Sequence, residues 1–488
     1  MKKQDNFNYT LLPPSPRSVH LMGICGTGMA ALAGMFHEIG CRVTGSDHAV
    51  YPPMSDFLKD LGIEVKQGYS PANLRHRPDL VVVGNVIRRE NPEAAAVRES
   101  SIPYTSLPGA LSRYFISDKT RIVVAGTHGK TTVSSMIAWI LFKKGLDPGF
   151  MIGGIPGNFN RNYRLGSGTF FVLEGDEYDT AYFDKRPKFL HYLPHVAVVT
   201  SCEFDHVDIY QSLEEIQRQF GFFVGLVPTD GTLIAFAEDP GIRQVLEHCA
   251  CRVETYGLRA EVDWSLVKRS EFERGVKTSV FHKGRKTASG TLPVLGYHNL
   301  LNAVAAIATA HRVGVPPQEA MEALGSFKGV KRRQEILGDV AGILLMDDFA
   351  HHPTAVRVTC SGVRSRYPTR RLIAVFEPRT NTNRRAVFQG QYVSAFLDAD
   401  VIALREPRDV ETIPQEGRFS SRKLAEDLRL HGKRAHAFAD TDGIIEFLQG
   451  DLRRNDVVLV MSNGSFDNIN VRLLDILKER EHERSLAV

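Results

Sequence analysis

Short apolar runs recur along this chain, most of them ending at glycine or acidic residues. Between them the apolar spacing changes from every second residue to every third or fourth. From Ser18 to about Asp118 the runs SVHLMG, CRVTGSD, GIEVKQG and LVVVGN alternate with helical patterns and predict a small parallel sheet. Arg121-Ile122-Val123-Val124-Ala125 is strand-like, and after it Val133, Met136, Ile137, Ile140 and Leu141 share one face of a helix. FFVLEGD and VAVVTSCE predict two further buried strands, and a β-rich interval runs from Gly231 to Gly296. YHNLLNAVAAIATAHRVG reads as a helix stopped at Gly314. Thereafter GILLMDDF, RLIAVFEP, DVIALRE, RAHAFAD and DVVLVMSNG alternate with helical stretches and predict a second, independent parallel sheet. The expected class is α/β in three domains, residues 1–118, 119–334 and 335–488, without internal repeats.

A length of 488 residues suits about three domains, each burying its own core. Hydrophobic residues at 43% and charged residues at 24% are ordinary for a soluble chain, and no apolar run reaches membrane-span length. The start, MKKQDNFNYTLLPPSPRS, has two lysines but no apolar core behind them. It reads as a short frayed arm rather than a secretory signal, and a cytoplasmic protein is expected. Cys25, Cys41, Cys202, Cys249, Cys251 and Cys360 form no CxxC pair, so reduced structural thiols are expected rather than a disulfide framework or structural zinc. A net charge of +4 from 60 basic and 56 acidic residues is too balanced for nucleic-acid binding, though it allows a local anion pocket. No nucleic-acid or membrane partner is expected, and a monomer is the working assumption.

Chemistry concentrates at GTHGKTT, residues 126 to 132. Between a strand and a helix start, Gly126 and Gly129 let backbone amides approach phosphate oxygens. The helix dipole adds positive potential, Lys130 reaches outer phosphates and the Thr131 hydroxyl suits Mg²⁺. Thr127, His128 and Thr132 complete the loop. Position 124 is Val, so the full GxxxxGKT spacing is not met and the motif is a variant P-loop. Glu174 ends the next apolar run, where parallel sheets expose ligand-binding groups. It is a Mg²⁺-ligand candidate, and Asp176, Glu177 and Asp179 crowd beside it, so a cation or basic group must neutralise them. Glu203, Asp205, His206 and Asp208 end the strand after that, and His206 suits metal or phosphate.

Elsewhere, G26-T-G-M-A-A31 fits the relaxed GxGxxA fingerprint, with Asp47 ending the next strand. That pattern fits either a nucleotide site or a tight packing turn, and alone it also permits a nicotinamide dehydrogenase. Asn299 and Asn302, three apart on a helix, suit an adenine edge, while N-capping by Asn299 is an equal alternative. Lys328, Lys331, Arg332 and Arg333 mark a hinge, where an arginine can stabilise a transferring phosphoryl group or form a solvated turn. Asp347, Asp348, His351 and His352 follow a buried strand. Arg379 follows the next one and suits bidentate capture of a carboxylate.

With GICGTGMAAL, GTHGKTT, EGDEYDTAYFDKRPKF, EFDHVDIY, HNLLNA, KRRQE, DDFAHHPTA and FEPRTNTNRR in this order, the chain resembles the Mur ligases from end to end. These are ATP-dependent enzymes that form amide bonds in assembling bacterial cell-wall precursors. The resemblance implies a Rossmann-like N-terminal domain for a UDP-sugar, a central P-loop ATPase sheet and a Rossmann-like C-terminal domain that closes over ATP and admits the amine. It implies ATP phosphates on Lys130 and the loop from Gly126 to Thr132, and one Mg²⁺ on Thr131 and Glu174. His206 would help to bind a second Mg²⁺, and Arg333 would reach the γ-phosphate. Asn299 and Asn302 would lie on the adenine side, with Asp348 and His351 closing over the nucleotide. Gly26, Thr27, Gly28, Asp47 and Asn85 would contact the UDP-sugar, and Arg379 with Asn381 the incoming peptide. DEYDTAYFDKRPKFLHY and FEPRTNT point to the branch that joins UDP-N-acetylmuramate to the murein tripeptide L-Ala-γ-D-Glu-meso-diaminopimelate during peptidoglycan recycling. The alternative branch adds L-alanine and usually has serine at the position of Tyr178. Two departures stand out. Gly175 replaces the family's usual alanine, a change expected to loosen the loop, and Gln211 to Leu226 contains no lysine, so no carbamylated lysine is expected.

Overall fold

Three parallel-stranded sheets organise the chain in sequence order. The computed structural model describes residues 12–50, 54–259, 261–272 and 275–486. The expected frayed arm falls mainly on residues 1–11, outside the described residues. In the first sheet Ser18–Met22 is central, with Arg42–Asp47 and Glu64–Gln67 on one side and Leu80–Val83 and Tyr104–Ser106 on the other, all parallel. The helix Thr27–Glu38 follows the central strand and buries Met29 to Phe36.

The middle sheet has ten strands, and its order explains where the chemistry collects. Thr120–Ala125 is flanked by Phe170–Gly175 and Val196–Val199, both parallel to it. Register pairs Val124 with Glu174 and Ala125 with Val199, so the strand ends carrying Gly126, Glu174 and Thr200 lie side by side. This is the carboxyl edge of an open sheet, where ligands collect. Ile122, Val123 and Val124 are fully buried because both faces are covered. The expected β-rich interval is continuous with this sheet: Trp264–Phe272 joins it parallel, and Gly275–His282 and Arg285–Leu292 extend it antiparallel.

In the last sheet Ile343–Asp348, Asp456–Met461, Arg371–Phe376, Val401–Arg405 and Arg434–Phe438 run parallel, with Glu335–Val340 as an antiparallel edge. Among the described residues no helix is long and apolar enough to cross a membrane. All six cysteines are free thiols.

Candidate active site

Gly129 caps the helix Lys130–Lys143 with φ +82°, a conformation glycine adopts without strain. A β-carbon on it would meet Asn302 Oδ1 at 2.8 Å, and one on Gly126 would meet Thr200 Oγ1 at 2.1 Å. The loop is stapled to the neighbouring strand end. The His128 amide donates to Ser201 Oγ (2.8 Å), and the Glu203 amide donates to Thr127 Oγ1 (2.9 Å). Neither glycine has room for a side chain of its own, so the loop backbone packs close, as a phosphate cradle requires.

Lys130 lies over this cradle, donating to the Gly126 carbonyl (2.6 Å) and to Glu177 Oε2 (2.8 Å). Burial works against its charge, but Glu177, Asp176 and Glu174 outweigh it and hold the amine above its ordinary value. Thr131 Oγ1 donates to Glu174 Oε1 at 2.8 Å, and the Gly153 amide to Glu174 Oε2 at 2.6 Å. Burial, with Asp176, still holds the Glu174 carboxyl above its usual range. Lys130 offsets this only in part, and a hydroxyl and a carboxylate side by side are hard oxygen donors, so the pair fits Mg²⁺.

The crowded acidic loop is neutralised by basic side chains. Glu177 takes Lys130 and His206, Asp176 takes Lys188 at 3.1 Å, and Asp179 takes Lys185 at 2.7 Å. His206 has φ +54°, and its Nε2 lies 3.1 Å from Glu177 Oε1. Burial opposes its charge, yet Glu177 and Asp205 raise it to about 9, while Glu177 falls to about 2 against its own desolvation through Lys130 and His206. His206 is thus a protonated partner of Glu177 here, and it must release both proton and partner before that nitrogen can ligate a metal.

Arg333 reaches into the site from the hinge, its Nη2 3.4 Å from Thr131 Oγ1 and its guanidinium stacked 4.6 Å from the Phe349 ring centre. Arg332 turns the other way, donating to the Ser462 and Gly464 carbonyls at 2.6 Å each. Adjacent arginines thus divide the hinge: one faces the cradle and one anchors the C-terminal sheet. Asp348 accepts from the Gln334 amide (2.7 Å) and the Ala350 amide (2.6 Å), yet burial raises it to about 6. His351 bonds the Phe349 carbonyl at 3.0 Å, and burial lowers its basicity.

Asn302 donates to Asn299 Oδ1 (3.0 Å), and Asn299 donates to Gln334 Oε1 and the Leu295 carbonyl, both at 2.9 Å. The helix begins earlier, at Gly296, so the N-cap alternative for Asn299 does not apply. Gly175 corrects another expectation. A β-carbon there would stand 2.9 Å from Val123 Cγ1 and 3.1 Å from Phe189 Cβ, so the glycine permits tight packing rather than a loose loop.

In the first sheet, Gly26 caps the helix without a side-chain bond, and Gly26 and Thr27 are exposed, leaving that N-terminus open. Gly28 faces Leu107 and Met151, and two residues after Met151 the Gly153 amide donates to Glu174. Asp47 accepts from the Cys25 amide (2.9 Å) and the Ala49 amide (3.2 Å), bracing the turn, and Asn85 is exposed. Arg379 is exposed and packs over Gly464. Asn381 donates to Asp208 (2.9 Å) and accepts from Arg384 (2.7 Å), tying the C-terminal unit to the loop of His206. Sequence reasoning missed Glu177 as the resting partner of Lys130, although the unpaired acidic run had called for a basic neighbour.

Family models match in the same order: Mur ligase family, catalytic domain, over residues 18–118; Mur ligase middle domain over 124–310; and Mur ligase, glutamate ligase domain, over 332–464. The UDP-N-acetylmuramate–L-alanyl-gamma-D-glutamyl-meso-2,6-diaminoheptandioate ligase of Escherichia coli K12 is 40% identical over 95% of this chain and 98% of its own. The UDP-N-acetylmuramate–L-alanine ligase of Geobacter sulfurreducens is 35% identical over 92% of this chain and 95% of its own. The crystal structure of a murein peptide ligase from Psychrobacter arcticus superposes with a TM-score of 0.71 at 34% identity, covering 95% of this chain and 99% of that one.

Proposed function

The chain belongs to the Mur ligase family, and from that premise we propose that it is an ATP-dependent ligase joining UDP-N-acetylmuramate to the amine of L-Ala-γ-D-Glu-meso-diaminopimelate. One observation carries the reading: Lys130, Thr131, Glu174 and Arg333 converge on a single glycine cradle. Relatives named for the tripeptide reaction, at 39% and 40% identity, support that acceptor over L-alanine.

ATP supplies the phosphoryl group that turns the inert muramate carboxylate into an acyl phosphate open to amine attack. The protein's work is then orientation and charge neutralisation. Lys130, freed from Glu177, neutralises phosphate oxygens above Gly126. Arg333 adds a second fixed positive charge from the hinge, its buried guanidinium remaining ionised at neutral pH. Thr131 and Glu174 would hold Mg²⁺. Asn381 bonds Asp208 where the C-terminal unit meets the middle one, and it and the exposed Arg379 would take a peptide carboxylate. The open helix start at Gly26 to Gly28 would bind the UDP pyrophosphate. In this reading the reaction returns a recovered cell-wall peptide to its nucleotide sugar.

The test offers purified protein UDP-N-acetylmuramate, ATP and Mg²⁺ with either the tripeptide or L-alanine, read by the mass of the UDP-linked product. A tripeptide adduct formed much faster than the alanine adduct is expected. Preferential alanine addition would assign the chain to the other branch, and no adduct with either would remove the ligase reading.

A further inference from the structure

Three side chains from three different segments meet beside the phosphate cradle, and nothing in the ligase reading uses them as a set. His128 comes from the glycine loop, Glu203 from the loop after Val196–Val199, and His352 caps the helix Pro353–Arg366. One donor atom from each falls within 4.8 Å of the others. His128 Nε2 stands 3.6 Å and His352 Nδ1 3.8 Å from the same oxygen, Glu203 Oε2. Both distances are too long for hydrogen bonds. They are close to the edge of a tetrahedral zinc shell, about 3.3–3.4 Å for bonds of about 2.0–2.1 Å.

We infer that His128, Glu203 and His352 form a binding site for one borderline transition-metal cation, of the Zn²⁺ or Co²⁺ class, shared between the glycine loop and the C-terminal unit. His128 Nε2 is buried and has no hydrogen-bond partner, so a nitrogen aimed at a carboxylate is left unsatisfied. His352 Nε2 lies 3.3 Å from the Phe204 carbonyl. That acceptor requires the proton on Nε2 and leaves Nδ1, 3.8 Å from Glu203 Oε2, as the lone-pair nitrogen, the protonation that metal-binding histidines take. That lone pair accepts a long bond, 3.3 Å, from the Thr354 amide. Thr354 Oγ1 donates to Glu203 Oε2 at 2.6 Å and fixes the carboxylate as an outer-shell partner does. The His128 and His352 rings lie 4.8 Å apart, and Phe388 walls the His352 side.

Two imidazoles and one carboxylate select zinc-like ions over Mg²⁺, which prefers the all-oxygen pair of Thr131 and Glu174. Three protein donors leave a fourth position for solvent. The inference does not depend on the ligase reading, since it rests on the side-chain donors of His128, Glu203 and His352, whereas the loop carrying His128 meets phosphate through its backbone. Its consequence is mechanical: a cation held by His128 and His352 together ties the glycine loop to the C-terminal unit.

The experiment uses the full chain, stripped with chelator and kept in millimolar Mg²⁺ without nucleotide, titrated with Co²⁺ and followed by its visible d–d bands. One Co²⁺ per chain with the intense bands of four-coordination is expected, displaced by Zn²⁺, with a higher melting temperature when loaded. His128→Asn and His352→Asn should each weaken binding at least about 100-fold, more than loss of an outer-shell partner does. Asparagine at 352 preserves a helix cap. Glu174→Gln should leave Co²⁺ binding unchanged. No stoichiometric Co²⁺ in the wild type, unchanged binding in both histidine variants, or loss in Glu174→Gln would overturn the inference. If either histidine variant folds poorly, Cu²⁺-loaded wild type still decides: two nitrogen donors in its EPR hyperfine pattern support the site, and fewer than two refute it.

Discussion

The contact between Glu177 and His206 sets the resting charge of the site, and a double-mutant cycle measures it. The perturbations are Glu177→Gln, His206→Gln and the pair together. His206 rises from an ordinary 6.5 to about 9, which at 1.36 kcal/mol per pH unit corresponds to roughly 3 kcal/mol of preference for the charged form. Because 29% of the His206 side chain meets water, while Glu177 is 4% exposed, screening reduces the expected coupling to about 2 kcal/mol. The sign follows from the direction of the shift. A raised histidine contributes its stability in full below pH 6.5 and loses it as pH climbs through about 9. Glu177, held near 2, remains ionised across that range and drops out of the pH dependence. Urea unfolding of the four proteins should therefore give a coupling near 2 kcal/mol at pH 6, falling below about 0.5 kcal/mol at pH 10. Coupling under 0.5 kcal/mol at pH 6, or the same value at both pH values, would refute the charge assignment.

Lys130→Ala should abolish amide formation, read as product mass, while circular dichroism stays close to wild type and the melting temperature falls, because the buried Glu177 loses its partner; full activity in the folded variant would remove Lys130 from the chemistry. Gly126→Ala should destabilise more than Gly129→Ala, by urea midpoint, because its β-carbon meets Thr200 Oγ1 at 2.1 Å and the Ser201 amide nitrogen at 2.9 Å, whereas Gly129 faces only the Asn302 side chain. The fully buried Glu93 accepts from His20, Ser46, Asn73 and the Ser70 amide, so Glu93→Ala should cost about 3–5 kcal/mol of unfolding free energy. Its carboxyl lies below the ordinary 4.5 because those donors outweigh its burial. Its contribution is therefore present above pH 4.5 and lost on acidification below it, and Glu93→Gln should flatten that acid limb.

The α/β class was legible because buried parallel strands such as Ile122–Ala125 and Val457–Val460 are apolar on both faces and end abruptly at charged or glycine loops. Those ends hold the candidate chemistry, so strand pattern and motif pointed to the same places. Pairing was not legible. Nothing local says that Phe170–Gly175 and Val196–Val199 flank the glycine-loop strand, yet that register brings Glu174 and Ser201 to the cradle. Counter-charges were hidden for the same reason, since Lys130 and Glu177 are 47 positions apart and Thr354 and Glu203 are 151 apart. The Gly175 substitution was misread because loop flexibility was inferred from residue type, whereas the space beside Val123 and Phe189 is a property of the packed sheet. Asn299 was ambiguous because the cap depends on where the helix begins, and Gly296 starts it one turn earlier than its asparagine suggests.

The account turns on a triphosphate seated between Gly126 and Thr131, and a crystal grown with a non-hydrolysable ATP analogue and Mg²⁺ tests this directly. It should show phosphate oxygens on the amides from Gly126 to Thr131, Lys130 Nζ moved from Glu177 to a phosphate, and the ion on Thr131 and Glu174. A cradle without nucleotide at saturating analogue, with Lys130 still on Glu177, would contradict it.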